Sequence, residues 1–153
     1  MASKVTLKKT SITLGIGETY DLNSSVPSGT AAYYRAYTSN STSVATVNKS
    51  GGLITAKKIG TATITCKLSN GKKATCKVTV KKMATSVSLN STSRTMLVGE
   101  TFDLNSSIPS GTVAYYRIYT SSNTSVATVK KSGGLITAKG AGTATITCKL
   151  SNG

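Results

Sequence analysis

At 153 residues, with 38% apolar side chains and no Trp, the chain has room for one or two small domains. It contains no His, which removes the usual general base and the commonest nitrogen ligand for a metal. The 19 basic residues against 4 acidic ones give a net charge of +15, which draws polyanions such as envelope glycopolymers, acidic glycans or nucleic acid. The same lysines, on outward strand faces, equally discourage edge-to-edge aggregation.

Ser and Thr crowd every segment, and β-branched Thr and Val suit half-buried strands better than helices. Residues 5–14 alternate in polarity until Gly15-Ile16-Gly17 breaks the run. Residues 19–22 make a short second strand, and Val26-Pro27-Ser28-Gly29 is a turn signal. A tyrosine-rich strand over 32–38 and a short one over 44–47 follow, and Ser50-Gly51-Gly52 turns the chain into residues 53–56. Residues 61–68 alternate cleanly, with Ala62, Ile64, Cys66 and Leu68 on one face. Asn70-Gly71 then makes a hairpin to residues 74–80, whose Cys76, Val78 and Val80 share a face. About seven short strands, with turn signals roughly every 8–12 residues, predict an all-β sandwich. No apolar run reaches the roughly 18 residues of a membrane span, and no apolar leader follows Met1. Met1 leads almost directly into a strand, so the segment reads as part of a longer secreted protein.

The element Gly17-Glu18-Thr19-Tyr20-Asp21-Leu22-Asn23-Ser24-Ser25 returns as Gly99-Glu100-Thr101-Phe102-Asp103-Leu104-Asn105-Ser106-Ser107. The offset is 99 − 17 = 82, and it holds without a gap from Met1/Met83 to Gly71/Gly153. The chain thus divides into residues 1–82 and 83–153, two tandem copies of one module. Lys81-Lys82-Met83-Ala84 joins them with no flexible spacer, which predicts a stiff end-to-end rod. The second copy stops at the turn equivalent to Gly71, before the counterpart of residues 72–82.

Three spaced runs carry a family resemblance: Ser125-Val126-Ala127-Thr128-Val129, Gly134-Leu135-Ile136-Thr137-Ala138 and Gly142-Thr143-Ala144-Thr145-Ile146-Thr147. Unit one repeats them as Ser43-Val44-Ala45-Thr46-Val47, Gly52-Leu53-Ile54-Thr55-Ala56 and Gly60-Thr61-Ala62-Thr63-Ile64-Thr65. Together with the early Gly-Glu-Thr-Tyr/Phe element, both units resemble the bacterial immunoglobulin-like domain, group 2, nearly end to end. Tyr37 and Tyr119 stand where that family usually has Trp. The resemblance implies two tandem immunoglobulin-like β-sandwich modules of a bacterial extracellular surface protein, serving as spacer, stalk or binding module. It also admits a virion protein, and it brings no catalytic residues and no cofactor.

The residues themselves point away from catalysis. Glu18 and Asp21 are three apart on a strand, so they leave opposite faces and suit turn capping rather than acid–base work. No zinc-type Cys spacing is present. A three-residue loop Asn70-Gly71-Lys72 would set Cys66 directly opposite Cys76 (66 + 76 = 69 + 73), as either a disulfide or two buried thiols. The partner of Cys148 would fall at 76 + 82 = 158, which leaves that thiol unpaired.

The open end of the second unit suggests either a shortened chain or completion by a strand from another molecule. Ser3-Lys4-Val5-Thr6-Leu7-Lys8-Lys9 echoes Cys76-Lys77-Val78-Thr79-Val80-Lys81-Lys82, so Lys4, Val5, Thr6, Leu7 and Lys8 form a candidate donor strand for head-to-tail self-association. In the tyrosine-rich strands, Tyr33, Arg35 and Tyr37, with Tyr115, Arg117 and Tyr119, share a face. If the opposite face, with Ala36 and Ile118, is the core, these six make an aromatic–basic patch for a glycan or protein partner. If Tyr37 packs inward as the resemblance implies, a bulge reconciles the two. No specific nucleic-acid motif is present.

Overall fold

The computed structural model describes residues 1–31, 34–114 and 116–150. The chain divides into two compact units, Met1–Lys82 and Met83–Gly153. No described residue is helical.

Unit 1 holds β1 (Thr6–Leu7), β2 (Ser11–Gly15), β3 (Thr19–Asp21), β4 (Ser24–Ser25) and β5 (Arg35–Ser39). It continues with β6 (Ala45–Val47), β7 (Leu53–Ala56), β8 (Gly60–Leu68) and β9 (Lys73–Met83). One sheet runs β2-β9-β8-β5, with β2 parallel to β9 and the other pairs antiparallel. The second runs β3-β7-β6, and β1 pairs with β4. The core between them includes Leu22, Ile54, Ile64, Val78 and Val80, each at most 1% exposed. Burial of each such side chain contributes about 1.5–3 kcal/mol.

The single strand expected over residues 5–14 is two strands. Val5 and Leu7 face the core from odd positions, Ile12 and Leu14 from even ones. The chain changes phase across Lys8-Lys9-Thr10 as it leaves β4 for β9.

The β8–β9 hairpin also departs from expectation. Its loop has the expected length but consists of Ser69, Asn70 and Gly71, because Leu68 N–H donates to the Lys72 carbonyl at 2.8 Å. Gly71 takes φ 83, the left-handed position that ends a three-residue hairpin loop. That one-residue displacement moves the register by two. Cys66 therefore stands opposite Ala74, and Cys76 opposite Ile64, rather than opposite each other.

Unit 2 holds β10 (Ser88–Leu89), β11 (Thr101–Asp103), β12 (Ser106–Ser107), β13 (Thr112–Val113), β14 (Arg117–Ser121), β15 (Ala127–Val129), β16 (Leu135–Ala138) and β17 (Ile146–Leu150). Sheet β11-β16-β15 reproduces β3-β7-β6, with Phe102 opposite Ile136 where unit 1 has Tyr20 opposite Ile54. Pair β14-β17 reproduces β5-β8, with Tyr119 opposite Cys148 as Tyr37 is opposite Cys66.

The described residues of unit 2 include no counterpart of β9, which would be numbered 73 + 82 = 155 to 83 + 82 = 165, outside residues 1–153. In unit 1, β9 supplies the backbone partners of both β2 and β8. In unit 2 the equivalents of β2, residues 93–97, form no strand, and β17 starts only at Ile146. Burial follows: Ala62, Ile64 and Cys66 are buried, whereas Ala144, Ile146 and Cys148 are half-buried.

Candidate functional site

The candidate aromatic–basic face turns inward. Arg35, Tyr37 and Ser39 pair directly with Leu68, Cys66 and Ile64, and directly paired residues project to the same side. That side is the core, so Tyr37 is 4% exposed and Tyr119 is 5% exposed. Alternation is regular and no bulge is needed. Ala36 and Ile118, taken as core by their own apolarity, stand on the other face. The patch reading is corrected accordingly: β8 decides which side of β5 is inner, not the composition of β5. Arg35 is exposed and Arg117 half-buried, while Tyr33 and Tyr115 lie outside the described residues.

A polar cluster sits at the Tyr37 hydroxyl. It donates to Ser24 Oγ at 2.7 Å, and Arg35 Nη1 donates to the Ser24 carbonyl at 2.6 Å. Cys66 Sγ lies 3.7 Å from the same Ser24 hydroxyl. Unit 2 repeats the main bond, Tyr119 to Ser106 Oγ at 2.7 Å. Each tyrosine thus fills the core with its ring and fastens the strand containing Ser24 or Ser106 with its hydroxyl. Gly52 lies flat against the Tyr37 ring at φ 76, and Gly134 against Tyr119 at φ 74.

Burial pushes the phenols of Tyr37 and Tyr119 above their ordinary 10.0, against the lowering effect of the serine bonds. Burial likewise pushes the Cys76 thiol above 9.0. The folded state favours the protonated forms, so their contribution is complete below the unfolded values and is lost as pH rises through the folded ones. Denaturant midpoints should hold steady near neutrality and fall above about pH 9–10. Tyr37→Phe should cost about 1 kcal/mol at neutral pH and make the alkaline fall shallower. An alkaline slope as steep in the variant as in the parent would show that Tyr37 does not contribute.

Cys66, Cys76 and Cys148 are free thiols, the first two buried and the third half-buried. Glu18 and Glu100 cap the turns that precede β3 and β11, accepting the N–H of Gly15 and of Leu97 at 2.7 Å. Asp21 and Asp103 are exposed on β3 and β11. Among the described residues no three His, Cys, Asp or Glu side chains gather to hold a metal. No described helix is long and apolar enough to cross a membrane.

A concavity lies in unit 2, a groove of about 540 Å³ lined by Leu89, Met96, Phe102, Leu104, Ile136 and Ile146 among others. Arg94, which replaces Ile12 at the 82-residue offset, lies 4.2 Å over the Phe102 ring at its wall. In unit 1 the matching space is filled from β9 by Cys76, Val78 and Val80. The candidate donor strand is itself in use: Val5 and Leu7 are buried at 7% each in the unit 1 core, while Lys4, Thr6 and Lys8 are exposed. Sequence reasoning did not anticipate that residues 93–97, the equivalents of β2, form no strand.

Two β-sheets packed face to face in unit 1, one of them edged by a parallel β2-β9 pair, and the return of β3-β7-β6 and β5-β8 in unit 2 at an 82-residue offset define an immunoglobulin-like sandwich protein. The bacterial Ig-like domain (group 2) matches residues 2–78, which is 78 − 2 + 1 = 77 of 153 positions, and the chain belongs to that family. Residues 97–151 match the intimin immunoglobulin-like domain. Nothing among curated proteins matches the chain. Among solved structures it is similar to surface layer protein SbsC, domains 1–6, at 21% identity and a TM-score of 0.42, covering 99% of this chain and 26% of that one. It is similar to a C-terminal fragment of intimin in complex with the intimin-binding domain of its translocated receptor, at 16% identity and a TM-score of 0.40, covering 99% and 60%. Human protocadherin-24 EC1-2 is similar at 12% identity and a TM-score of 0.43, covering 98% and 94%. The chain spans about a quarter of the surface-layer fragment's length.

Proposed function

We propose that the chain is a structural and adhesive repeat segment of a bacterial extracellular surface protein, acting as stalk and contact module without catalysis. The observation that carries this is the membership of residues 2–78 in the bacterial Ig-like family, followed by a second copy at the 82-residue offset. The side-chain chemistry inside each unit supports it. Tyr37, Ser24 and Glu18 hold strands and turns together and present no reactive group to a cleft. Antibody against residues 1–82 should label intact cells that make the parent protein. Labelling only after permeabilisation would overturn the surface placement.

The unit 2 groove favours a second role, acceptance of a β-strand from another copy. Residues 3–9 have the alternation it requires, and taking them costs the donor two buried side chains, Val5 and Leu7. Light scattering over a concentration series tests this: mass growing with concentration supports it, and a strict monomer ends it.

A further inference from the structure

We propose that the outward face of the β2-β9-β8-β5 sheet in unit 1 binds a linear polyol-phosphate polymer. Lys67 on β8 and Lys73 and Lys77 on β9 are exposed, with Lys81 half-buried further along β9. They alternate with the inward residues Cys66, Cys76, Val78 and Val80, so all four ammonium groups belong to one face. Lys67 stands directly opposite Lys73. Like charges placed this way destabilise a strand pair. None of β2, β5, β8 or β9 contains an acidic residue to offset them. Asp21 belongs to the other sheet, and Glu18, beyond the end of β2, is bonded to the Gly15 N–H.

Hydroxyls fill the space between the lysines. Thr13, Thr79 and Thr61 form one row across the sheet, and Thr75, Thr65 and Thr38 another. Ser11, Lys77 and Thr63 form the row between them. Strands lie about 4.8 Å apart and successive outward residues about 6.7 Å apart, so Lys73, Lys77 and Lys81 recur about every 13 Å along β9. The result is a flat grid of cations and hydroxyl donors, suited to an extended partner with repeating negative charge.

The chemistry of the face selects the kind of anion. Strands β2, β5, β8 and β9 present no aromatic ring outward, since Tyr37 of β5 points inward, and the one exposed ring beside them, Tyr34 just before β5, gives successive bases no row of platforms for stacking. A four-stranded sheet face is wider than the major groove of a duplex, which at about 12 Å admits a helix or a two-stranded ribbon. Its cations are lysines, which meet phosphate as compact point charges rather than through the planar fork of arginine. Repeated phosphodiesters on a small polyol backbone fit these demands. The inference rests on the surface placement above only for where the polymer is met.

The test is calorimetric titration of the full chain with deacylated poly(glycerol phosphate) at several salt concentrations. The triple variant Lys67→Gln, Lys73→Gln, Lys77→Gln should bind at least about tenfold more weakly, with a salt dependence reduced by about two ions. Lys130→Gln, Lys131→Gln, Lys149→Gln removes the same charge from unit 2 and should change affinity less than about twofold. Equal losses in the two variants would leave only net charge and overturn the site. Tighter binding of heparin or of oligo-dT than of poly(glycerol phosphate) would overturn the assigned chemistry. Binding in solution is read apart from antibody labelling of cells, so the two proposals fail separately.

Discussion

Appending the sequence of residues 72–82 after Gly153 should raise the unfolding temperature of unit 2 by at least roughly 10 °C. A net gain of about 3 kcal/mol shifts a domain of this size by that much or more. The gain comes from closing the groove. In unit 1, Cys76, Val78 and Val80 are each at most 1% exposed, and β9 pairs with β2 on one side and β8 on the other. Given the same strand, unit 2 can bury its copies of these three side chains, reclaim the half-buried Ala144, Ile146 and Cys148, and form the missing ladders. Hydrogen exchange supplies the local readout, because the amides of residues 93–97 and 142–146 should become protected. The same residues in scrambled order, with lysines at the inward positions, should give neither effect. A transition that stays put, or moves equally with the scrambled tail, would show that the groove does not select a strand. The extension also bears on strand exchange: if copies associate through the groove, the extended chain stays monomeric where the parent does not.

Much of this architecture was legible because the module is written twice. The 82-residue offset turns each element of unit 2 into a check on unit 1, and the alternation of residues 61–68 needs only the period of a strand. Features fixed by pairing were harder to read. The change of phase between Val5-Leu7 and Ile12-Leu14 is visible in the sequence, yet only β4 and β9 explain it, one pairing on each side of the break. The inward turn of Tyr37 depends on Leu68, Cys66 and Ile64 of β8, more than 20 residues away. The cysteine register hinges on where the three-residue loop begins: with Gly71 at φ 83 as its last residue the loop is 69–71, one position before the 70–72 expected from composition. Lys67 and Lys73 entered the sequence reading only as part of a net charge. Their juxtaposition exists only once the hairpin register is known.

The second large effect is expected at Gly52. Gly52→Ala should destabilise unit 1 by about 3 kcal/mol or more, for two separable reasons. Its φ of 76 lies in the left-handed region, which costs an L-residue with a side chain about 1–2 kcal/mol. A Cβ there would also stand 2.8 Å from the Leu22 carbonyl oxygen and 2.8 Å from Cζ of the Tyr37 ring. Neither neighbour can retreat cheaply. Leu22 N–H is bonded back to the Gly52 carbonyl at 3.1 Å, and the Tyr37 hydroxyl is held by Ser24. Gly51→Ala is the matched control, since its Cβ would approach only the exposed Asn48 side chain, at 3.3 Å. Equilibrium unfolding in denaturant measures both variants. A double-mutant cycle with Tyr37→Leu divides the loss, because relief of about 1 kcal/mol in the pair assigns that share to the ring and no relief assigns it to the backbone. A Gly52→Ala protein as stable as Gly51→Ala would mean that the turn shifts freely off the ring, and that Tyr37 is not clamped between Gly52 and Ser24.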